Sequence, residues 1–224
     1  MKIKTVDLTR TYRIGPSKIT AVNKVNLEVN KATFTAIVGP SGSGKSTLLN
    51  LLGLNDYPTS GKIFIDNTDT SLLSGRKRRK IRLFRMGFVF QTFNLLPTLS
   101  ALENIELPMA LAGETPKEQR EKAVRLLENV GLGDRLHHMP KELSIGEMQR
   151  VAIARALAND PEVIIADELT GELDSKTAKE IIDLLFNINR KHKTTVIVAT
   201  HDEKIVKVAD ALYIIGDGKL KVEH

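Results

Sequence analysis

The 224-residue chain contains no cysteine and no tryptophan. Without cysteine it can form neither disulfides nor thiolate metal sites, which fits a reducing compartment. No apolar run approaches the roughly 20 residues that span a bilayer, and the N-terminal residues lack the apolar core of a signal peptide. We therefore expect a soluble, cytoplasmic protein, for which any role at a membrane requires a separate membrane partner.

Aromatic residues are also scarce, at 4% of the chain, so few side chains are available for stacking on nucleic-acid bases. The net charge of +6 and the pI of about 9.4 suit anionic partners. A solvated basic surface accounts for most of this charge, with triphosphate binding using the rest. The densest basic run, residues 76–85, is interrupted by Ile81, Leu83 and Phe84, which predicts an amphipathic helix. We expect no nucleic-acid partner.

A glycine-rich segment, GPSGSGKST, directly follows the apolar run 34–38. Its residues are Gly39, Pro40, Ser41, Gly42, Ser43, Gly44, Lys45, Ser46 and Thr47. Glycines at this spacing let successive backbone N–H groups wrap an anion, and a following helix points its positive end at that anion. Lys45 supplies a point charge for the outer phosphates, and Ser46 offers a hydroxyl to Mg²⁺. The segment predicts a nucleoside triphosphate site.

The order of the predicted elements favours an α/β fold with an inserted helical lobe. Uninterrupted apolar strands separated by helices are typical of a parallel sheet that is covered on both faces. The predicted strands cover residues 2–8, 23–30, 33–38, 62–66, 86–90, 163–166, 195–199, 211–215 and 219–222. The predicted helices cover residues 45–53, 146–158 and 175–191, and a further one begins after the N-cap Thr115 and ends at Gly131. Residues 2–8 and 23–30 alternate in polarity, which favours an antiparallel sheet near the N-terminus.

Polar side chains stand at the ends of several of these strands. Asp167 closes a core strand, where ligands bind in such sheets, and beside a phosphate loop its expected task is to orient Mg²⁺. Glu168 follows it and is interpreted as the group that polarises the attacking water. His201 follows the next core strand. Its spacing favours contact with the γ-phosphate about as much as an ordinary polar role. Gln91 ends a short strand and carries an amide able to meet a Mg²⁺-bound water.

The segment Leu143–Arg150, LSIGEMQR, resembles the signature of ATP-binding-cassette (ABC) ATPases, LSGGQxQR. The phosphate loop, Gln91, the Asp167–Glu168 pair, Asp174 and His201 occur in the family's order, and the resemblance runs across essentially the whole chain. It implies a P-loop NTPase core with a RecA-like parallel sheet, an N-terminal antiparallel β subdomain and an inserted helical subdomain. We expect a single ABC ATPase domain over residues 1–224, with the core in 1–91 and 160–224 and the helical subdomain in 92–159.

The resemblance also implies a role for each matching position. ATP and Mg²⁺ are the implied cofactors, and two copies of the chain are implied to sandwich each ATP. The implied phosphate and metal contacts are Gly39–Thr47 for the phosphates, with Ser46, Gln91 and Asp167 for Mg²⁺. The implied catalytic set is Lys45, Gln91, the general base Glu168 and the switch residue His201, with Tyr12 stacked on adenine. Ser144, Gly146 and Glu147 are implied to face the ATP of the other subunit, and Asp174 to couple the two sites.

Three positions depart from the family's pattern. Ile145 replaces a glycine, and a β-branched residue there is strained wherever the backbone needs a positive φ. Glu147 replaces a glutamine and brings a carboxylate towards the partner's nucleotide, which we expect to weaken closure. Leu169 replaces a proline and removes a turn restraint. These departures concern the rate of hydrolysis more than the fold.

Residues 91–108 are similar to the ATPase subunits of lipoprotein-release, macrolide-export and related peptide-export systems. In such systems a helix of an integral membrane permease docks between core and helical lobe. Phe93, Leu95 and Leu96 are candidates for that groove, or equally for the core of the lobe. The sequence therefore favours an ATPase subunit that acts as a homodimer and lies on the cytoplasmic face of a membrane through its permease.

Two other classes of protein were weighed. A non-transport ABC ATPase that acts with a membrane partner in cell division remains the alternative. A small-molecule kinase leaves the signature segment and Gln91 unexplained.

Overall fold

The computed structural model describes residues 1–222 and contains two sheets and seven α-helices over that range. In chain order the strands are β1 (Ile3–Ile14), β2 (Ser17–Val25), β3 (Glu28–Val29), β4 (Phe34–Val38), β5 (Ser60–Ile65), β6 (Thr68–Asp69), β7 (Met86–Val89), β8 (Val163–Asp167), β9 (Thr195–Thr200), β10 (Ala211–Gly216) and β11 (Lys219–Val222). The helices are α1 (Lys45–Leu52), α2 (Gly75–Arg85), α3 (Ala101–Ala112), α4 (Pro116–Asn129), α5 (Ile145–Ala156), α6 (Ser175–His192) and α7 (Glu203–Val208). Every helix within residues 1–222 is too short or too polar to cross a bilayer.

The larger sheet has the strand order β11-β10-β4-β9-β8-β7. All of its strand pairs are parallel except the terminal hairpin of β10 and β11. The smaller sheet is antiparallel and is built on β1, which pairs with β2, β3 and β5, while β6 extends it from β5. The predicted α/β fold, with a parallel core and an N-terminal antiparallel sheet, is confirmed.

The central strands are buried on both faces, as their unbroken apolar sequences predict. Along β9, Ile197 and Ala199 join one hydrophobic cluster, whereas Val196 and Val198 join another. The first cluster lies between α1 and the antiparallel sheet, and the second lies under α5 and α6. This alternation follows from the two-residue period of a strand, and it clamps the sheet between two apolar layers.

Helices α3, α4 and α5 pack together around a third hydrophobic cluster. The predicted N-cap Thr115 is confirmed, and it forms a capping box with Glu118. Helix α5 contributes to two clusters, because Ala152 and Ile153 face the sheet while Val151 and Ala154 face the other helices of the lobe. One helix therefore joins the helical lobe to the core.

Two local predictions were wrong. The strand predicted over residues 23–30 is two strands, and β1 and β2 extend much farther than predicted, to a turn after Ile14. The pairing of β1 with β2 shifts register near Arg10, and Asp7 has a φ of 45°. Such irregularities break the alternation on which the prediction relied. Helix α7 was also not predicted, because its six residues are too few for a clear helical period.

An ion-pair network joins four distant parts of the chain around Asp66. Asp66 accepts a hydrogen bond from the Lys2 amide at 3.0 Å and pairs with Arg85, which also pairs with Glu162. Glu162 in turn lies 3.3 Å from the N-terminal ammonium. Burial acts to raise the pKa of Asp66, but the Lys2 amide, Arg85 and Lys31 outweigh it and lower this pKa to about 2. The carboxylate is therefore stabilised in its charged form.

We expect Asp66→Asn to lower the free energy of unfolding by about 2 kcal/mol at pH 7. Asn tolerates the φ of 46° at this position, so the variant isolates the charge. Because the folded pKa lies below the ordinary 3.8, the contribution is complete above about pH 4 and is lost as the pH falls towards 2. Urea unfolding across this range measures it. Asp183→Asn, on the exposed side of α6, serves as the control. A difference from wild type that is undiminished at pH 2 would contradict the electrostatic account.

Candidate active site

The carboxyl ends of four parallel strands meet at one edge of the larger sheet. In register, Val38 of β4 lies beside Thr200 of β9, Ala199 lies beside Asp167 of β8, and Ala166 lies beside Val89 of β7. The segments that follow these strands carry the phosphate loop, His201, Glu168 and Gln91. The topology therefore brings together residues as distant in sequence as Gly39 and His201.

The phosphate loop connects β4 to α1 and ends in a left-handed residue. Gly44 is the N-cap of α1 with a φ of 106°, and a Cβ there would meet the Ala21 carbonyl oxygen at 2.1 Å. No side chain caps this helix, so its first amides stay available to an anion. Pro40, Ser41, Gly42 and Ser46 are exposed on the loop, and Ser43 is buried beneath it. The requirement for glycine at position 44 therefore comes from the protein's own backbone.

Lys45, Glu168 and His201 form a chain of charged and polar contacts across the sheet edge. Lys45 is only 7% exposed, and its ammonium donates to the carbonyl oxygens of Gly39 and Pro40 at 2.7 and 3.1 Å. It also lies 3.4 Å from one carboxylate oxygen of Glu168, whose other oxygen lies 2.8 Å from Nδ1 of His201. Glu168 thus bridges the phosphate loop and the exposed imidazole.

The backbone of Glu168 is itself unusual. Its φ is 50°, in the left-handed region that residues other than Gly, Asn and Asp seldom adopt, and its amide donates to the Ala199 carbonyl at 2.9 Å. Residues held in this region cost of order 1–3 kcal/mol and cluster at functional sites. The bond to β9 keeps Glu168 in this conformation, which directs its carboxylate between Lys45 and His201.

Asp167 has the character of a metal-binding carboxylate. One of its oxygens, Oδ1, is buried and has no hydrogen-bond partner within the described chain. Burial raises the pKa of Asp167, with the negative charge of Glu168 adding to the effect, while the Ser46 hydroxyl and Lys45 oppose it. A hard cation satisfies such an oxygen, and carboxylate and hydroxyl oxygens are the donors that Mg²⁺ prefers. Among residues 1–222 no cluster of three or more His, Cys, Asp or Glu could hold a metal by itself.

Gln91 lies past the end of β7, exposed, in a segment with two consecutive left-handed residues. Phe93 and Asn94 have φ values of 59° and 48°. The guanidinium of Arg155, on α5, donates to both of their carbonyl oxygens. This clamp offsets the backbone strain and connects the Gln91 segment to the helical lobe.

The signature residues form the N-terminus of α5. Ser144 is the N-cap, and it shares a capping box with Glu147: the Ser144 amide donates to the Glu147 carboxylate at 2.8 Å. Arg135 lies 3.2 Å from the same carboxylate. The Ser144 amide and hydroxyl, together with Arg135, outweigh burial and lower the pKa of Glu147. Ile145 begins the helix, is 42% exposed and has no positive φ. The predicted strain at Ile145 is therefore absent.

The capping box leaves two amides of α5 without a helical partner. In an α-helix the first N–H groups have no acceptor within the helix, and here Ser144 satisfies only that of Glu147. The amides of Ile145 and Gly146 remain at the exposed end. Among residues 1–222 no hydrogen bond or ion pair joins this helix end to the phosphate loop. The chain therefore presents two separate helix N-termini whose first amides are available to an acceptor.

Asp174 and Gly146 meet through Thr177. Asp174 caps α6 by accepting from the amides of Lys176 and Thr177 at 2.9 and 3.1 Å, and from the Thr177 hydroxyl. A Cβ on Gly146 would meet the Thr177 methyl at 2.6 Å. Position 146 therefore needs glycine because α5 and α6 approach closely at their N-termini.

Tyr12 lies on β1, away from these charged groups. Its hydroxyl donates to Asp56 at 2.8 Å, and the guanidinium of Arg10 stands over its ring at 4.6 Å from the centroid. Arg10 therefore covers one face of the ring, so a stacking partner would have to use the opposite face.

A groove of about 770 Å³ runs between the core and the helical lobe. Its apolar lining consists chiefly of Leu83, Phe88, Phe90, Leu107, Pro108 and Leu111, with basic side chains of α2 and Arg155 around it. Phe93 and Leu95 are half-buried against the hydrophobic clusters, and Leu96 also lies outside the groove lining. Leu95 packs against the hydrophobic cluster of the lobe, as the second interpretation has it, whereas Phe93 packs against the cluster under α5 and α6, and Leu96 is 43% exposed.

The sequence profile of the ABC transporter family matches residues 22–171. The chain belongs to the ABC transporter family. This cassette is 50% identical over 216 residues to the Uncharacterized ABC transporter ATP-binding protein of Thermotoga maritima. The alignment covers 96% of this chain and 92% of the relative. It is 45% identical over 213 residues to the lipoprotein-releasing system ATP-binding protein LolD of Legionella pneumophila, covering 95% and 94%.

A solved cassette has the same fold. The dimeric structure of MJ0796 from Methanocaldococcus jannaschii, a post-hydrolysis state bound to ADP and Pi, superposes with a TM-score of 0.91. The two chains are 43% identical, and the match covers 99% of this cassette and 97% of the other. The predicted family, the P-loop fold and the ATPase class of the cassette are confirmed.

Two residues that the sequence did not single out hold candidate site residues: Arg155 holds the segment after Gln91, and Asp56 binds the Tyr12 hydroxyl. Arg155 and Asp56 act through backbone carbonyls and a tyrosine hydroxyl, contacts that leave no spacing signal in the sequence. The only available sign was a charged residue inside an otherwise apolar segment, as Arg155 is in α5. That sign does not identify the partner.

We expect Gly146→Ala to lower the free energy of unfolding by about 1–3 kcal/mol, because its methyl group overlaps the β-branched Thr177. Chemical denaturation measures the loss. Thr177→Ser removes the obstructing methyl but keeps the hydroxyl bond to Asp174, so adding it to Gly146→Ala should restore most of the stability. Thr177→Ser alone is the control. Failure of the double variant to recover would show that Gly146 is required for another reason.

Proposed function

We propose that this chain is the ATP-binding and ATP-hydrolysing subunit of a membrane exporter of the lipoprotein, peptide or macrolide type. The observation that carries the proposal is the position of Glu168, 3.4 Å from the phosphate-loop lysine and 2.8 Å from His201. A carboxylate between a phosphate-binding cation and an imidazole is suited to orient and deprotonate a water beside the terminal phosphate. The similarity to LolD supports the exporter type.

In this proposal the phosphate loop and α1 bind the phosphates. The backbone amides of Gly39–Thr47 surround them, and Lys45 exchanges its contacts with the Gly39 and Pro40 carbonyls for phosphate oxygens. Ser46, Asp167 and Gln91 would hold Mg²⁺, which neutralises charge on the phosphates when bound. Glu168 would accept the proton of the attacking water, and His201 would hold the γ-phosphate. Tyr12 would stack on adenine with the ring face that Arg10 leaves open.

The second anion-binding helix end supports a homodimer as the ATP-bound state. Ser144 and the free amides of Ile145 and Gly146 form a site for negative charge that is not joined to the chain's own phosphate loop. We propose that they bind the γ-phosphate held by a second copy, with Asp174 at the shared boundary. Two-fold symmetry then gives two equal sites. Loss of the bridging γ-phosphate on hydrolysis would loosen the dimer, because the bound states differ in that contact.

Glu147 fits this arrangement without placing an unbalanced charge at the interface. Its carboxylate turns back to the Ser144 amide and to Arg135, which lies 3.2 Å away. We propose that this pairing lets the chain carry glutamate where relatives have glutamine, and that it reduces the expected weakening of closure.

The groove between core and lobe supports a permease as the membrane partner. Its floor is apolar and one wall is basic, formed by Arg76, Arg79, Lys80 and Arg82 of α2. An amphipathic cytoplasmic helix with acidic residues on one side is complementary to both features. Binding there would hold the cassette at the cytoplasmic face of the membrane.

We expect Lys45→Ala to lower ATP hydrolysis by about a hundred-fold or more, because it removes a cation aimed at the transferred phosphoryl group. Phosphate release measures turnover, and circular dichroism checks folding because Lys45 also bonds its own loop. Lys179→Ala, on the exposed side of α6, is the control. Wild-type turnover in Lys45→Ala would refute the assignment of this site.

We expect Glu168→Gln to trap an ATP-bound dimer, because the amide keeps the shape of the side chain but cannot accept the proton. Size-exclusion chromatography with saturating Mg-ATP should show a species of twice the monomer mass. Glu121→Gln, on the exposed side of α4, should elute like wild type. A Glu168→Gln protein that stays monomeric would count against the sandwich.

A further inference from the structure

The turn that follows α1 makes several contacts with the aromatic side chain on β1. Asp56 accepts the Tyr12 hydroxyl at 2.8 Å through one carboxylate oxygen and pairs with Arg10 at 2.8 Å through the other. The Tyr57 amide also donates to this carboxylate. Burial acts to raise the pKa of Asp56, but the Tyr12 hydroxyl, the Tyr57 amide and Arg10 together lower it, so the group is charged at neutral pH. Tyr12 is therefore held by its hydroxyl and by one ring face.

Helix α2 holds the same turn from the other side. Arg78, only 2% exposed, donates to the Asp56 carbonyl at 2.9 Å, and its guanidinium covers the Tyr57 ring at 4.1 Å. Arg82 donates to the Leu54 carbonyl at 2.9 Å. Leu54 is fully buried and has a φ of 58°, a strained value for a bulky residue. Two guanidinium groups thus stabilise a turn that would otherwise relax.

The turn is also tied to the phosphate loop by a single short helix. Helix α1 has eight residues and spans about 12 Å, with the loop at its N-terminus and the turn just after its C-terminus. The amides of Asn55 and Asp56 both return to the Asn50 carbonyl within this helix. The distance from the phosphate cradle to the Tyr12 anchor is therefore set by one rigid element.

We propose that Asp56 is a positioning residue for nucleotide binding, which fixes the Tyr12 ring in the orientation that the base requires. The inference rests on the proposed stacking of adenine on Tyr12. When a base stacks on a mobile aromatic ring, the ring loses rotamer freedom, and this loss opposes binding. A ring that is already fixed avoids the loss, so the base binds it more tightly. Asp56 provides this fixation through the hydroxyl, while Arg10 closes the ring face that the base does not use.

The test compares two ligands that differ only in the base. Isothermal titration calorimetry on the full chain measures the Kd of ADP and of ribose 5-diphosphate, which avoid hydrolysis and ATP-dependent association. We expect Tyr12→Phe to raise the Kd of ADP about three- to ten-fold, the worth of one hydrogen bond, and to leave that of ribose 5-diphosphate unchanged. We expect Asp56→Ala to change the two Kd values in the same way. The double variant should bind ADP no more weakly than either single variant, because both substitutions remove the same contact.

The controls separate this inference from the proposed function. Asp183→Asn should leave both affinities unchanged. Tyr12→Ala should weaken ADP more than Tyr12→Phe does. If Tyr12→Ala weakens ADP binding but Tyr12→Phe does not, the ring stacks on the base without its hydrogen bond to Asp56, and the proposed role of Asp56 is overturned. Equal losses for both ligands in Tyr12→Phe would mean a general structural defect and would overturn it too. Full ADP affinity in both Tyr12→Ala and Lys45→Ala would refute the nucleotide site itself.

Discussion

The parallel register of β4, β9, β8 and β7 is the constraint on which the rest of the structure depends. Neighbouring parallel strands end at the same edge of the sheet, so the residues that follow them lie side by side along that edge. Burial of both faces keeps that register, because a slip of one residue would exchange the two apolar layers around Ile197 and Val198. The charged groups of the site therefore depend on apolar packing far more than on their own attractions.

At this edge, like and unlike charges are balanced by geometry. Asp167 and Glu168 are adjacent, yet they point to different partners: Asp167 towards Ser46, and Glu168 towards Lys45 and His201. The left-handed backbone of Glu168 makes this divergence possible, because successive side chains of a regular strand would simply alternate between the two faces. The two carboxylates thus face different partners, as the proposed metal-binding role of Asp167 and the proposed base role of Glu168 require.

Two helices connect the site to the surfaces around it. Helix α5 starts with the signature residues, packs in two hydrophobic clusters and carries Arg155, which holds the Gln91 segment. Helix α2 holds the turn after α1 through Arg78 and Arg82, and Arg82 also lines the groove. Each helix therefore contacts both a segment of the candidate site and the groove.

The sequence alone determined the family, the phosphate loop and the order of the strands. These follow from local rules: glycine spacing, apolar periodicity and polar residues at strand ends. The antiparallel sheet was predicted less well, because bulges near Asp7 and Arg10 interrupt the alternation. Only the tertiary structure decided why Gly146 is glycine, why Ile145 is unstrained, that Arg155 holds the segment after Gln91, and that Asp56 binds the Tyr12 hydroxyl. Those facts depend on partners that are distant in the chain, and short-range spacing carries no information about them.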